Sequence, residues 1–362
     1  MAWRCFGGQA GVRRAENRAP RYNVGGFWSI LFLLVETEMG AHTHMLDTLW
    51  SHYRAGGLEA AASVAGPSPE GLLYLAMLAF ADERHAEAAT FAARAAQAAP
   101  ADPLFPAAAA YLARVAREGK RNVYVSAEGF GAFIRGGGNV ALYRETSRAL
   151  ARHYPGEPFE LLDIGVGDGL ALLPALTPAV RRVTLVEPAA PLLERTSAEL
   201  VARGVSHEPF SGRLQELIAS PGGETRRWAV AQATFSLHSI PPAERLGPLG
   251  WLRAHCDTLL VAEFDAPLMD EPLKPDVIRH VFGRYREGLS EYSGSDFETV
   301  TQGFLMPVFF GYVDRGATRT TFEQPVNGWE AQLREAGFAR VDRQLLYPYW
   351  WAPAWLLVAH AR

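Results

Sequence analysis

Cysteine is nearly absent from the 362 residues: Cys5 and Cys256 are the two, and they lie far apart. That spacing fits neither a disulfide framework nor a zinc site, and it points to a reducing, cytoplasmic setting. The 10 histidines show no HExxH-type pair, so no metal is expected. An excess of charge of one sign is missing as well. Lys and Arg number 35 against 39 Asp and Glu, for a net charge of −4 and no long basic run, so nucleic acid is not expected as a partner. The apolar run Phe27–Val35 is too short to span a bilayer, and no membrane association is expected. Glu36 and Glu38 follow it, where a signal peptide would need small residues. Residues 1–44 therefore read as a disordered extension, or as sequence ahead of a true start at Met39 or Met45. A hydrophobic content of 49% over this length suits two domains or one enlarged α/β domain.

What the chain does have is a strand, a glycine turn and a helical run in immediate succession. The apolar Phe159–Ile164 leads into Gly165-Val166-Gly167-Asp168-Gly169, and Leu170–Leu176 reads as the helix that follows. Glycine at alternate positions lets a ligand approach the backbone and supplies positive φ if the turn needs it. Amides at the start of the helix would favour polar or anionic groups. The dinucleotide fingerprint G-x-G-x-x-G is not met, because the third glycine comes one residue early and Leu170 takes its place. Asp163 precedes the turn by two residues, and Glu187 ends the next apolar run, Val183–Val186. A carboxylate at such a strand end suits the hydroxyls of a ribose.

On Asp163, Gly165, Gly167, Gly169 and Glu187 the chain resembles the class I S-adenosylmethionine-dependent methyltransferases. Their first motif is an acid followed by G-x-G-x-G, and their second strand ends in an acid. The resemblance covers roughly two-thirds of the chain and implies a Rossmann-like α/β fold with a seven-stranded sheet. It also implies S-adenosyl-L-methionine as cofactor and a small-molecule methyl acceptor. Strands and helices alternate as that fold requires: Val183–Val186, Val205–Phe210, Trp228–Phe235 and Thr258–Phe264 read as strands two to five. The helix Trp329–Ala336 and the strands Ala339–Leu346 and Ala354–His360 close the sheet.

Two additions surround that sheet domain, which is expected over 126–362. Residues 45–125 are alanine-rich with apolar positions at helical spacing, giving helices over Leu46–Ala55, Pro69–Phe80, His85–Ala98 and Phe105–Glu118. The segment Leu72–Pro103 resembles one tetratricopeptide-type hairpin. It reads either as a helical cap or homodimerisation arm, or as a peptide-binding groove. After the fifth strand comes an insertion, Ala266–Gln324, rich in Phe and Tyr. A connection of that length needs structure of its own. In this position it is expected to overhang the strand ends as a lid.

The candidate site residues follow. The resemblance places Asp163, Gly165, Gly167, Asp168, Gly169 and Glu187 on the cofactor, with Phe210 and Ser211 at the adenine and Gln232 and Thr234 near it. Arg135, Asn139, Tyr143 and Arg144, just upstream of the first strand, are candidates for the cofactor's carboxylate or the substrate; alternatively Gly136–Gly138 is a plain hinge and Arg144 a solvated residue. If the acceptor atom carries a proton, a general base helps. His238, after the fourth strand, and Glu263, with Asp265 as its neighbour on the fifth, are the candidates. The other reading makes His238 a strand cap and the carboxylates helix caps or surface groups.

A narrower resemblance is to bacterial members of the GRAS family. It rests on Tyr154-Pro155 before the first strand, Gly169–Leu176, Phe235-Ser236-Leu237-His238, Phe282–Glu298, and Gly328-Trp329 to Gly337-Phe338. Plant members regulate transcription without an intact cofactor turn, whereas Gly165, Gly167 and Gly169 keep it here, which favours a metabolic role. The alternative is a GRAS-like module that binds a small molecule or a protein without turnover.

Overall fold

The computed structural model describes residues 25–66, 68–120, 127–222 and 225–362. Residues 1–24 of the expected extension, with Cys5, lie outside the described residues, as do 121–126 at the expected boundary before the sheet domain. The chain divides into two compact units, Met1–Met45 and Leu46–Arg362. The first is helical over its described residues, as the start of α1 (Gly25–Val64). Among the described residues no helix is long and apolar enough to cross a membrane.

In the second unit the expected helices form nearly where the apolar spacing puts them. α1 is interrupted at Gly56–Gly57, and α2 (Pro69–Ala81), α3 (His85–Ala98) and α4 (Leu104–Glu118) follow. Ser68 caps α2 by accepting from the Gly71 amide at 3.4 Å, and Pro69 supplies the fixed φ of a first helical turn. Gly119 ends α4 at φ 79°. α2 is buried along almost its whole length, because the insertion packs on it as well. Phe310 of the insertion lies 5.2 Å from the Phe80 ring of α2 and stacks at 5.2 Å on Tyr111 of α4. The Tyr74 hydroxyl donates to the Leu273 carbonyl at 2.5 Å, and Gln302 Nε2 to the Ala107 carbonyl at 3.1 Å. The space between α2 and α4 is thus filled by the chain's own aromatic residue.

Next come α5 (Ala127–Arg135) and α6 (Gly137–His153), and then the sheet: β1 (Phe159–Ile164), β2 (Val180–Glu187), β3 (Ser206–Ser211), β4 (Trp228–Thr234), β5 (Cys256–Phe264), β6 (Arg340–Tyr347) and β7 (Ala354–His360). Its order is β3-β2-β1-β4-β5-β7-β6, with the first five strands parallel and β7 antiparallel to both neighbours. This is the expected Rossmann-like, seven-stranded α/β sheet. The helix expected over Leu170–Leu176 is a correction: only one turn forms, α7 (Leu172–Ala175). Leu176 precedes Thr177-Pro178, and the residue before a proline is driven out of helical conformation. One turn cannot sum peptide dipoles to a useful field, so individual amides, not a helix end, face any ligand.

The remaining helices of the sheet domain are α8 (Ala190–Ala202), α9 (Leu214–Ala219) and α10 (Leu246–His255). Those of the insertion are α11 (Pro275–Ser290), α12 (Gly294–Val300) and α13 (Met306–Gly311), with a π-helical turn at Thr301–Leu305; α14 (Val326–Glu335) follows. Side chains alternate between sheet faces. Leu162, Ile164, Ala231, Ala233, Leu259 and Val261 share a core with Leu249 of α10 and Trp329 of α14. Asp163 and Gln232 therefore point to the other face, toward Tyr154 at the end of α6.

Candidate active site

Geometry requires the glycines of the turn. Gly165, Gly167 and Gly169 have φ of 69°, 56° and 77°, the left-handed region that other residues enter only with strain. A Cβ on Gly165 would lie 2.4 Å from Cβ of Ser236, whose hydroxyl is fixed by donating to the Ile164 carbonyl at 2.7 Å. At Gly167 the reason differs. A Cβ there would meet nothing within 4 Å, because the position faces an open cleft. The Gly167 amide donates to Glu187 Oε2 and the Ala189 amide to Oε1, each at 2.9 Å, while Thr196 Oγ1 donates to the Gly167 carbonyl at 2.8 Å. Glu187 thus ties the turn to the end of β2, and each carboxylate oxygen keeps one lone pair for another donor.

Below the turn lies a buried polar chain. The Tyr154 hydroxyl donates to Gln232 Oε1 at 2.5 Å, and Gln232 Nε2 donates to Asp163 Oδ2 at 2.6 Å. Asp163 is 2% exposed. Burial pushes its carboxyl up to about 7; the Gln232 hydrogen bond pulls it down and the charge of Glu187 pushes it further up.

The cleft has a volume of about 430 Å3, within the range of small-molecule sites. Asp163 and the turn from Gly165 to Asp168 form its floor. Leu170–Leu172, Leu192 and Arg195 line it, with Tyr143, Thr234 and Phe235. Phe130, Gly131, Ile134 and Arg135 of α5 cover it. Arg135 forms an ion pair with Asp168, and Arg195 stands 3.9 Å from the same carboxylate oxygen. Tyr143 meets the Phe235 ring edge-on at 5.9 Å, and burial, helped by the Asp168 charge, raises its hydroxyl pKa, so it stays protonated. Thr234 Oγ1 is buried without a hydrogen-bond partner.

Of the expected site residues, Asp163, Gly165, Gly167, Asp168, Arg135 and Tyr143 line the cleft. Gln232 stands behind Asp163, Glu187 beneath the turn, and Gly169 packs toward Leu173 and Thr196. Phe210 and Ser211 do not line it: the cleft lies over β1 and β4, with β2 between β1 and their edge strand β3. Phe210 packs against the core on the opposite face. Asn139 is occupied elsewhere, donating to the Phe133 carbonyl at 2.9 Å and accepting from the Tyr349 hydroxyl at 3.1 Å. Arg144 pairs with Glu145 at 3.0 Å. Asp265 accepts from the Val326 amide at 2.8 Å and so caps α14. The insertion contributes no lining residue to the cleft. It backs the cover instead, through Phe304, which stacks on Phe133 at 4.2 Å and touches Phe130 at 5.4 Å.

His238 and Glu263 come together as a pair. The His238 amide donates to Glu263 Oε1 at 3.1 Å, and ring Nδ1 lies 2.9 Å from Oε2. Burial alone would lower the pKa of the imidazole. The charge and hydrogen bond of Glu263 outweigh that, with Glu323 adding to them, and the net shift is upward. Alternation along β5 puts Glu263 on the face of Leu259 and Val261, so the pair sits across the sheet edge from Asp163 and outside the cleft lining. The chain changes faces at Phe235, whose φ is 50°. Sequence reasoning missed this residue, and no local pattern marks it. It missed Glu323 too, because that carboxylate approaches His238 from the far end of the insertion.

No family model matches the chain, and no curated protein matches it. Solved structures similar to it include the mitomycin 7-O-methyltransferase MmcR, at 18% identity over 83% of this chain and 75% of that one, TM-score 0.38. A cyclopropane synthase of Mycobacterium tuberculosis is 9% identical over 66% and 95%, TM-score 0.46. A candidate O-methyltransferase of Nostoc punctiforme is 15% identical, TM-score 0.40; the match covers 61% of this chain and 56% of the length of that one. Likeness of this degree says nothing by itself about chemistry, and the fold assignment rests on the strand order. The narrower resemblance to the GRAS family gains no support from any of them.

The arrangement has definite chemical capacities. It offers backbone at Gly167 that a flat ligand can approach, a buried carboxyl that titrates near neutrality, and hydroxyls at Tyr143 and Thr234. An imidazole held by a carboxylate stands outside the cleft, on the opposite face of the sheet from Asp163.

Proposed function

We propose that the chain is an S-adenosyl-L-methionine-dependent methyltransferase acting on an oxygen or nitrogen of a small molecule. The observation that carries this is the open space above Gly167, between a glycine turn tied down by Glu187 and the unpartnered hydroxyl of Thr234. Among the described residues no side chain lies within 4 Å of where a Cβ on Gly167 would stand, which leaves room for an adenosyl group against the turn. When bound, the cofactor supplies a methyl group on a positively charged sulfur. Asp163 beneath favours a cationic ligand, which in turn draws the carboxyl toward its ionised form. Glu187 retains lone pairs for ribose hydroxyls. Arg135 and Tyr143 are donors for a carboxylate, and Arg135 leaves Asp168 when it binds one. Transfer then depends mostly on alignment within a space that excludes water.

The peptide-binding alternative is less favoured, since Phe310 of the chain itself packs on Phe80 of α2 and Tyr111 of α4. Calorimetry with S-adenosylmethionine and S-adenosylhomocysteine tests the proposal. Wild type should bind both, and Gly167→Arg, whose side chain enters the cleft, should bind neither. Transfer of labelled methyl to a component of a metabolite extract separates enzyme from sensor. Lack of binding by the wild type overturns the reading.

A further inference from the structure

Charge in the cleft is unevenly shared. Two guanidiniums line it, Arg135 of α5 and Arg195 of α8, together with two acids, Asp163 and Asp168. Asp163 is buried on the floor, where it accepts from the neutral amide of Gln232. Both arginines turn instead to Asp168, and to the same oxygen of it. Arg135 Nη2 forms the close ion pair with Oδ2, while Arg195 Nη1 stands back at 3.9 Å. Among the described residues Arg195 forms no other ion pair.

One carboxylate oxygen does not hold two guanidiniums at full strength, because the cations repel each other across it. Exposure decides which group gives way. The Asp168 side chain is 15% exposed, against 46% for Arg135 and 59% for Arg195. The anion is the fixed member, set in a turn that Glu187 and Thr196 tie down at Gly167. The arginines reach it on long side chains from different helices, Arg135 as the last residue of α5 and Arg195 from within α8. Such a set is short of one anion. A second carboxylate entering the cleft gives each guanidinium a partner of its own.

We infer that Arg195 is a positioning residue that acts through Asp168: when Arg135 turns to the carboxylate of an entering ligand, Arg195 closes on Asp168 in its place. This rests on the methyltransferase reading, in which the anionic group of the cofactor is the carboxylate of its methionine part. Binding then exchanges one close ion pair for two. Without Arg195, releasing Arg135 would leave the largely buried Asp168 without a counter-ion, and the ligand's carboxylate would enter beside an unpaired negative charge. Arg195 prevents that without touching the ligand.

The test compares two ligands that share an adenosyl thioether: S-adenosylhomocysteine carries the amino-acid carboxylate, and 5′-methylthioadenosine lacks it. By calorimetry, Arg195→Gln should lower affinity for S-adenosylhomocysteine about five-fold, the scale of one exposed charge pair. Affinity for 5′-methylthioadenosine should change less than about two-fold, whereas a merely structural role would weaken both ligands alike. Arg195→Lys keeps the charge and should recover most of the loss. In an Asp168→Asn background the anion that Arg195 serves is gone, so Arg195→Gln should have no further effect on S-adenosylhomocysteine. An Arg195→Gln variant that weakens both ligands equally or neither, or a loss that persists in the Asp168→Asn background, overturns the inference and leaves the cofactor reading standing. Failure of the wild type to bind S-adenosylhomocysteine overturns both.

Discussion

Asparagine in place of Asp163 should stabilise the protein above neutral pH and leave it nearly unchanged in mild acid. The carboxyl is buried, with a pKa near 7 in the folded chain against 3.8 for the unperturbed group. Between those values the native state holds a proton that the unfolded chain has lost, so stability falls as pH rises from about 4 to about 7 and then levels off. Three units at about 1.4 kcal/mol each make the full loss roughly 4 kcal/mol. An amide carries no such penalty, and its oxygen can still accept from Gln232 Nε2, which now donates at 2.6 Å. For a chain of this size, at about 2 °C per kcal/mol, the variant should melt roughly 5–10 °C above wild type at pH 8. The two should converge near pH 4. Thermal unfolding without ligand, followed from pH 4 to pH 8, measures the gap. A gap that stays constant across that range would mean Asp163 does not titrate as its burial requires, and the account of the cleft floor would be wrong.

Glu187→Gln leaves one of two amides, Gly167 or Ala189, without its acceptor and removes the charge; cofactor affinity should drop about ten-fold or more by calorimetry, with a smaller effect on turnover at saturation. His238→Ala should leave methyl transfer within about two-fold of wild type, because the imidazole stands outside the cleft lining; a loss of about 100-fold would show that it reaches the acceptor. Glu263→Gln takes away the charge that holds the His238 pKa up, so the imidazole, followed by NMR, should titrate at lower pH than in wild type. Phe310→Ala empties the space between α2 and α4 and should cost about 3–5 kcal/mol in denaturant unfolding.

The helices of the N-terminal region and the positions of the strands were legible because both depend on spacing along the chain. Apolar residues at intervals of three and four give α2, α3 and α4 within a residue or two, and alternating strand and helix signals give all seven strands. The helix after the turn was misread because apolar spacing does not register that Leu176 stops short before Thr177-Pro178. How the insertion packs was not legible for a different reason. Its aromatic composition suits packing on α2 and α4 as well as backing a cleft, and only the fold shows that Phe310 meets Phe80 and Tyr111 while Phe304 meets Phe130 and Phe133.

The same division runs through the site. By itself the sequence determined the glycine turn and its two flanking acids, since positive φ, close backbone approach and a carboxylate at a strand end are requirements on residues near one another in the chain. Tertiary structure decided which groups meet across it: Asp163 with Gln232, Asp168 with Arg135, His238 with Glu263. It also decided that the last pair stands on the opposite face of the sheet from the first. Those meetings depend on strand register and on where the chain crosses the sheet edge at Phe235, and both come from packing between segments dozens of residues apart, which no local pattern encodes.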